Sequence, residues 1–332
     1  MILIRKILFP LAIIYWLVTF IRNWLYDKGY LKSTAFNVPV IAVGNLSAGG
    51  TGKTPQIEYL INMLADSYKV AVLSRGYKRK SNGFVLADDN ATVESIGDEP
   101  FQFFSKFKNK CIVAVDADRR NGITKLMALK DKPQVILLDD AFQHRKVKAS
   151  MYILLTAYDE LFVDDFILPF GNLRESAIGK KRANVVIVTK CPSDLNQTEK
   201  ECIISKLNVN VPVYFSEIVY SDYLINKNGE KLRLSNAIED IGVVVSGIAN
   251  PKLFLEKINA KNTKVMIYPD HHHFTTKEIH QINNNSNGKI ILTTEKDFVR
   301  IKNKFDDKLF FLQIHTTIDN LQFKKEVLDF LK

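Results

Sequence analysis

Cysteine is scarce. The chain has three, Cys111, Cys191 and Cys202, an odd set without CxxC spacing that excludes a disulfide scaffold and offers no zinc-finger pattern. A reducing compartment is the expectation. Glycine and proline, 15 and 10 in 332 residues, are too few for collagen-like or low-complexity architecture. With 46% hydrophobic and 25% charged residues, the chain is no disordered polyelectrolyte and must build a core. No repeat of solenoid period is visible. The apolar run at residues 7–21 falls short of the roughly 20 residues that span a bilayer. It also lacks an A-x-A cleavage site, which argues against a cleaved signal peptide.

What is present begins with that run. Arg5 and Lys6 precede it, and Arg22, Trp24, Tyr26, Lys28 and Lys32 follow. With Trp16, they suit a helix at the lipid headgroup level, apolar body inward and cations toward phosphates. A helix buried against the domain and a short single-pass anchor are the alternatives. The net charge of +10 favours an anionic partner without choosing among nucleotide, nucleic acid and acidic lipid. No DNA or RNA motif accompanies it, and no nucleic-acid partner or obligate protein partner is expected.

At roughly 150 residues per domain the length predicts two domains. Beyond residue 30 the chain alternates β-branched runs with helical patterns, as a parallel α/β sheet does. Strands are predicted at 38–43, 69–73, 111–115, 135–138, 152–155 and 185–189. A hairpin signal at Asn228-Gly229 marks the connection between domains. A second α/β series follows at 243–245, 265–268, 290–293 and 309–312, with a last helix over 320–331. The expected organisation is an N-terminal membrane-associated helix at 1–30, a first domain at 31–212, a linker at 213–236 and a second domain at 237–332.

Between the first strand and the first helix stands Ser47-Ala48-Gly49-Gly50-Thr51-Gly52-Lys53-Thr54. A phosphate-binding loop needs glycines so that backbone N–H groups turn toward phosphates, a lysine for their oxygens and a hydroxyl for Mg²⁺. All three are present, although the strict pattern has Gly where Ser47 stands. A carboxylate at the end of a neighbouring strand should help hold the ion, and the strand ending at Asp139-Asp140 supplies one. Its alternative is a helix cap or turn.

Gly97-Asp98-Glu99-Pro100 offers two acids before a Phe-rich helix. They fit a base that deprotonates an acceptor hydroxyl, and equally an Asp98 N-cap with Pro100 in the first turn. Asp270-His271-His272-His273 reads as a base with its orienting acid, a solvated loop or, least favoured, a metal cluster.

Taken in order, Gly44-Asn45-Leu46-Ser47-x-Gly49-Gly50-Thr51-Gly52-Lys53-Thr54-Pro55, Ser74-Arg75-Gly76-Tyr77, Gly97-Asp98-Glu99-Pro100, Leu138-Asp139-Asp140-Ala141-Phe142-Gln143-His144, Leu173-Arg174-Glu175 and Asp270-His271-His272-x-Phe274 resemble the tetraacyldisaccharide 4′-kinase family. The resemblance covers nearly the whole chain. It implies a P-loop NTPase-like α/β/α sandwich and a smaller α/β/α domain joined by a two-stranded linker. It also implies an enzyme at the cytoplasmic face of the bacterial inner membrane, peripheral or monotopic, among anionic lipids. That enzyme moves the γ-phosphate of ATP to the 4′-hydroxyl of tetraacyldisaccharide 1-phosphate.

By the same resemblance Ser47 to Thr54 bind ATP, and Lys53 neutralises phosphate charge. Thr54 with Glu99 and Asp139 or Asp140 holds Mg²⁺. Asp98 is the base with His271 as its dyad partner, and Arg174 and Glu175 lie near the transferring phosphate, unless they are a surface ion pair. Ala141 stands where the family often has Gly, and His273 fills a variable position. Partitioning ATPases, which act as nucleotide switches, are the competing class. Their signature loop lysine would fall at Ala48, and its absence counts against them.

Overall fold

The computed structural model describes residues 8–259, 263–270, 272–318 and 320–331. In chain order its strands are β1 (Val40–Asn45), β2 (Val70–Ser74), β3 (Val85–Leu86), β4 (Cys111–Val115), β5 (Val135–Asp139), β6 (Met151–Ala157), β7 (Val185–Thr189), β8 (Val213–Asn226), β9 (Lys231–Arg233), β10 (Ile241–Ser246), β11 (Lys264–Ile267), β12 (Ile290–Thr294) and β13 (Leu309–Ile318). They join in the order β11-β10-β12-β13-β8-β7-β6-β1-β5-β2-β4-β3, with β9 on β8. Two parallel blocks, β7-β6-β1-β5-β2-β4 and β11-β10-β12-β13, meet where β8 runs antiparallel to β13.

The strand sequences explain the layering. A strand covered by helices on both faces is apolar throughout, and successive side chains serve opposite layers. Ile41 and Val43 of β1 pack with Ile57, Leu60, Ile61 and Leu64 of the helix Lys53–Leu64. Val40 and Ala42 face Ile123 and Leu126 of the helix Arg119–Met127. The second block repeats this scheme on a smaller scale, with Val244 and Leu292 on one face and Val243, Val245 and Ile291 on the other.

The joint is built differently from the expected linker. A hairpin does turn at Asn228-Gly229, but β9 is only three residues long. The strand that accompanies β8 between the blocks is β13, paired from Phe310↔Asn226 to Ile318↔Ser216. Its second half, with His315, Thr316 and Thr317, is too polar to read as a buried strand. That return delivers the helix Leu321–Leu331 to the first block, where Phe323 and Val327 are buried in the first core. The ring of Phe323 lies 5.1 Å from Tyr214 and 6.0 Å from Tyr59. Of the expected second domain at 237–332, residues 321–331 pack with the first unit.

The helix Phe9–Asp27 is not a core helix. Of its residues only Ala12 is buried, while Phe9, Leu11, Ile13, Ile14, Trp16, Leu17, Val18, Phe20, Ile21 and Trp24 are exposed. A polar stripe holds it to the protein. Tyr15 Oη donates to Arg174 O at 2.9 Å, Arg22 Nη2 to Gln143 O at 2.7 Å and Asn23 Nδ2 to Glu175 Oε2 at 2.6 Å. With 19 residues it is longer than the run seen in the sequence, and is long and apolar enough to cross a membrane by length and composition. Arg5 and Lys6 lie outside the described residues.

Candidate active site

The loop after β1 is fastened from three sides before it meets any ligand. Asn45 Nδ2 donates to Ser47 O at 2.7 Å, Ala48 N to Asn172 O at 2.7 Å and Thr189 Oγ1 to Thr51 O at 2.9 Å. Gly52, the residue that starts the helix Lys53–Leu64, has φ +79°, a left-handed conformation that glycine adopts without a Cβ penalty. The helix N-terminus consequently opens toward the loop, the arrangement that receives phosphate. Ser47, Ala48 and Thr51 take part in these bonds. The residues from Gly49 to Thr54 line a cleft of about 1040 Å³ between the two units.

Lys53 ends this loop among acceptors. Its Nζ lies 3.4 Å from Asn45 Oδ1 and 3.6 Å from Asp140 Oδ1. Asp140, at φ +47°, also takes Arg174 Nη1 at 2.9 and 2.8 Å on its two oxygens. Burial pushes the Asp140 carboxyl up, but Lys53 and then Arg174 outweigh it and hold it below the ordinary aspartate value. This cation–carboxylate–cation chain keeps two positive groups pointed into the cleft.

Asp139 is its opposite. It is buried at the end of β5, and its carboxyl is pushed up to about 7 by burial and then by Glu99 and Asp140, with Lys53 and Ser74 pulling the other way. Ser74 Oγ donates to Oδ2 at 3.0 Å, whereas Oδ1 is buried with no partner among the described residues. Thr54 Oγ1 stands 3.4 Å from Glu99 Oε1. An orphaned carboxylate oxygen beside a hydroxyl and a second carboxylate is an all-oxygen set that fits Mg²⁺. Among the described residues no three histidine, cysteine or acidic groups form a complete metal site by themselves. Mg²⁺ on a nucleotide does not require one, because it takes one or two carboxylates and completes its shell with phosphate and water. Asp140, committed to Arg174 and Lys53, is the less suitable ligand of the two aspartates.

Across the cleft, Asp98 opens the helix Asp98–Phe107. Gly97 is the N-cap and makes no side-chain cap bond, so the capping alternative for Asp98 does not hold. The Asp98 carboxylate instead accepts from Arg300 of the second unit, from Nε at 2.9 Å and from Nη2. His271, the expected dyad partner, lies outside the described residues. Its neighbour His272 bonds Glu278 at 3.0 Å and stacks on Tyr268, a setting that argues against a histidine metal cluster.

Glu175, expected near the transferring phosphate, lies directly behind the cleft residues Arg174 and Gln143. It is buried, and its oxygens accept from Asn23 at 2.6 Å, Arg182 at 2.7 Å and Gln143 at 3.0 Å. It is a strut beneath the N-terminal helix and does not line the cleft. Nor do Arg174 and Glu175 form a surface ion pair, since each is committed to another partner.

Three groups escaped the sequence reading. Arg119 is buried in the cleft wall, its Nη2 on Asp139 O at 3.1 Å, with its pKa lowered to about 10 by burial. Lys190 lines the cleft beside Gly50. Arg300 reaches Asp98 from a position 202 residues away. Arg119 follows Asp118 at the end of a strand-to-helix turn, a visible signal, but Arg300 had none.

Comparison with known proteins agrees along the whole chain. A family profile described as tetraacyldisaccharide-1-P 4′-kinase matches residues 4–332. A tetraacyldisaccharide 4′-kinase of Flavobacterium johnsoniae is 54% identical over 99% of this chain and 98% of its own length. One of Bacteroides thetaiotaomicron is 46% identical over 90% of this chain and 83% of its own. The crystal structure of Aquifex aeolicus LpxK, an "apo" form in complex with ATP, is 31% identical and covers 99% of this chain and all of that one, with a TM-score of 0.80. With loop, carboxylates and two-unit cleft in place, the chain belongs to the tetraacyldisaccharide-1-P 4′-kinase family.

Proposed function

We propose that this protein transfers the γ-phosphoryl group of ATP to the 4′-hydroxyl of a tetraacyldisaccharide 1-phosphate at the cytoplasmic face of the inner membrane. The observation that carries the reading is a single cleft. It joins the phosphate loop to Asp98 and is bordered by Tyr15, Thr19 and Arg22 of the exposed apolar helix. A phosphate loop, a carboxylate and an exposed apolar helix all border it.

In this reading, the amides of residues 49–54 and Lys53 bind the phosphates, and Lys53 with Arg174 offsets charge that grows on the transferring group. Thr54, Asp139 and Glu99 would hold Mg²⁺, which would supply charge neutralisation to the nucleotide phosphates. Asp98, with His271 as its partner, accepts the proton of the 4′-hydroxyl as that oxygen forms its bond to the γ-phosphorus. The bond to the β–γ bridging oxygen breaks, and ADP leaves with the electron pair. The apolar side of the helix Phe9–Asp27 lies in the headgroup region as a peripheral or monotopic anchor, with the exposed Lys28 and Lys32 that follow it toward anionic lipid. That keeps the cleft at the depth of the substrate's sugars.

The test is transfer of label from γ-labelled ATP to tetraacyldisaccharide 1-phosphate, run beside ATP hydrolysis without lipid. Lipid-dependent labelled product supports the kinase reading. ATP hydrolysis that is indifferent to lipid, with no labelled lipid, overturns it in favour of a nucleotide switch.

A further inference from the structure

We propose that Arg300, contributed by the second unit, is a positioning residue that sets the orientation of the Asp98 carboxylate toward the acceptor hydroxyl. The proposal rests on Asp98 being the base. Arg300 is itself held from behind. Its side chain is only 7% exposed, and its Nη1 donates to Asp297 Oδ1 at 3.1 Å. Asp297 is fully buried and its other oxygen accepts from Gly247 N and Thr294 Oγ1, both at 2.7 Å. The guanidinium is thus fixed by the core of the second unit before it meets the first.

The contact with Asp98 is directional. Nε and Nη2, two nitrogens of one rigid plane, converge on Asp98 Oδ2, which anchors that oxygen of the carboxylate from a fixed direction. Arg300 does not line the cleft, while Asp98 does, so the guanidinium acts through the carboxylate and not on the phosphate.

Two further side-chain contacts tie the helix Asp98–Phe107 to the second unit, Lys106 with Glu295 and Lys302 with Phe101. Lys106 bonds Glu58 and lies 3.1 Å from Glu295, and Lys302 lies 5.1 Å from the ring of Phe101. They hold the helix Asp98–Phe107 through Phe101 and Lys106, while Arg300 contacts its first residue, Asp98. Docking of the helix therefore has other supports, and a buried ion pair is in any case weak grounds for stability. The reactive end of the helix is where Arg300 adds orientation.

Arg300→Ala, Arg300→Lys and Asp98→Asn should be compared in the full-length enzyme with ATP and tetraacyldisaccharide 1-phosphate. Misplacement of a reacting group by about 1 Å can cost on the order of a hundredfold. Arg300→Ala is therefore expected to lower kcat by about tenfold to a hundredfold, with the KM for ATP unchanged. Arg300→Lys should recover part of the loss. On the Asp98→Asn background Arg300→Ala should add almost nothing, because there is no base left to orient.

Unchanged kcat in Arg300→Ala beside an inactive Asp98→Asn overturns the positioning role and leaves the base assignment intact. Losses that multiply in the double variant overturn it too. An active Asp98→Asn overturns the base assignment, and the positioning role with it. If Arg300→Ala does not fold, Arg300→Lys decides: a kcat loss at unchanged KM for ATP supports the proposal, and wild-type kcat overturns it.

Discussion

The two walls of the cleft are held by different means. The nucleotide wall is fastened within the first unit, by short contacts to backbone groups: Ala48 to Asn172, Thr51 to Thr189, with Gly52 at the start of its helix. The acceptor wall is fastened by long side chains reaching between units, Arg300 to Asp98 and Lys106 to Glu295. A phosphate cradle built from backbone is rigid and depends little on the second unit. The Asp98 carboxylate, by contrast, is held by a side chain of the second unit. Phosphate binding and phosphoryl transfer should therefore separate under mutation.

The largest separation is expected at the nucleotide wall itself. Lys53→Ala removes charge stabilisation where transition-state charge grows, and a loss of about a hundredfold to a thousandfold in kcat is expected. Thermal unfolding should stay close to wild type. Steady-state kinetics beside a melting curve checks both, and near-normal transfer would contradict the loop assignment.

Glu175→Ala should behave in the reverse manner. Removing one partner from a buried ion pair leaves the other charge uncompensated, at a cost of about 3 kcal/mol, read by denaturant unfolding. The protein that remains folded should keep most of its kcat, because Glu175 is a strut beneath the N-terminal helix. A large kcat loss at unchanged stability would restore it to the catalytic group.

Asp139 sets the pH dependence of the nucleotide wall. Its carboxyl, raised from 3.8 to about 7, binds a proton more tightly in the folded protein than in the unfolded chain. Its contribution to the stability of the metal-free protein is whole below about pH 4 and lost as pH rises through about 7. Mg²⁺ needs the deprotonated form, so Mg²⁺-dependent ATP affinity should weaken below about pH 7, by up to tenfold per pH unit. Titration calorimetry in buffers of different ionisation enthalpy would detect the accompanying proton release. Glu58, raised to about 7 by burial and then by Glu295, titrates in the same window but lies outside the cleft. Affinity is therefore the diagnostic quantity, and melting temperature is not. A pH-independent affinity would assign the ion to other ligands.

The smallest effect is expected at the membrane. Removing the residues up to Asp27 should raise the KM for lipid severalfold, through loss of apolar and headgroup attraction, and leave that for ATP nearly unchanged. Equal losses for both substrates would mean that the helix is part of the fold.

The legibility of the sequence follows the same division between walls. Buried parallel strands are continuous apolar runs, so β4 and β7 were readable residue for residue, and the phosphate loop carries its chemistry in eight consecutive positions. Contacts made across long separations leave no local trace. Asp98 and Arg300 are far apart in sequence, and the polar half of β13 looks like a loop until β8 lies beside it. Arg174-Glu175 was adjacent in sequence, but its two side chains serve different partners. The C-terminal helix was recognisable as a helix, whereas its docking on the first unit depended on the path of β13.

The central claim is that Asp98 takes the acceptor proton in a cleft whose nucleotide wall works independently. Single-turnover transfer by Asp98→Asn, with ATP affinity measured on the same preparation, tests it most directly. The amide keeps the shape of the side chain and cannot accept the proton, so ATP affinity should be unchanged while the transfer rate falls by about a hundredfold or more. Transfer near the wild-type rate, or a loss that tracks weakened ATP binding, would contradict the account.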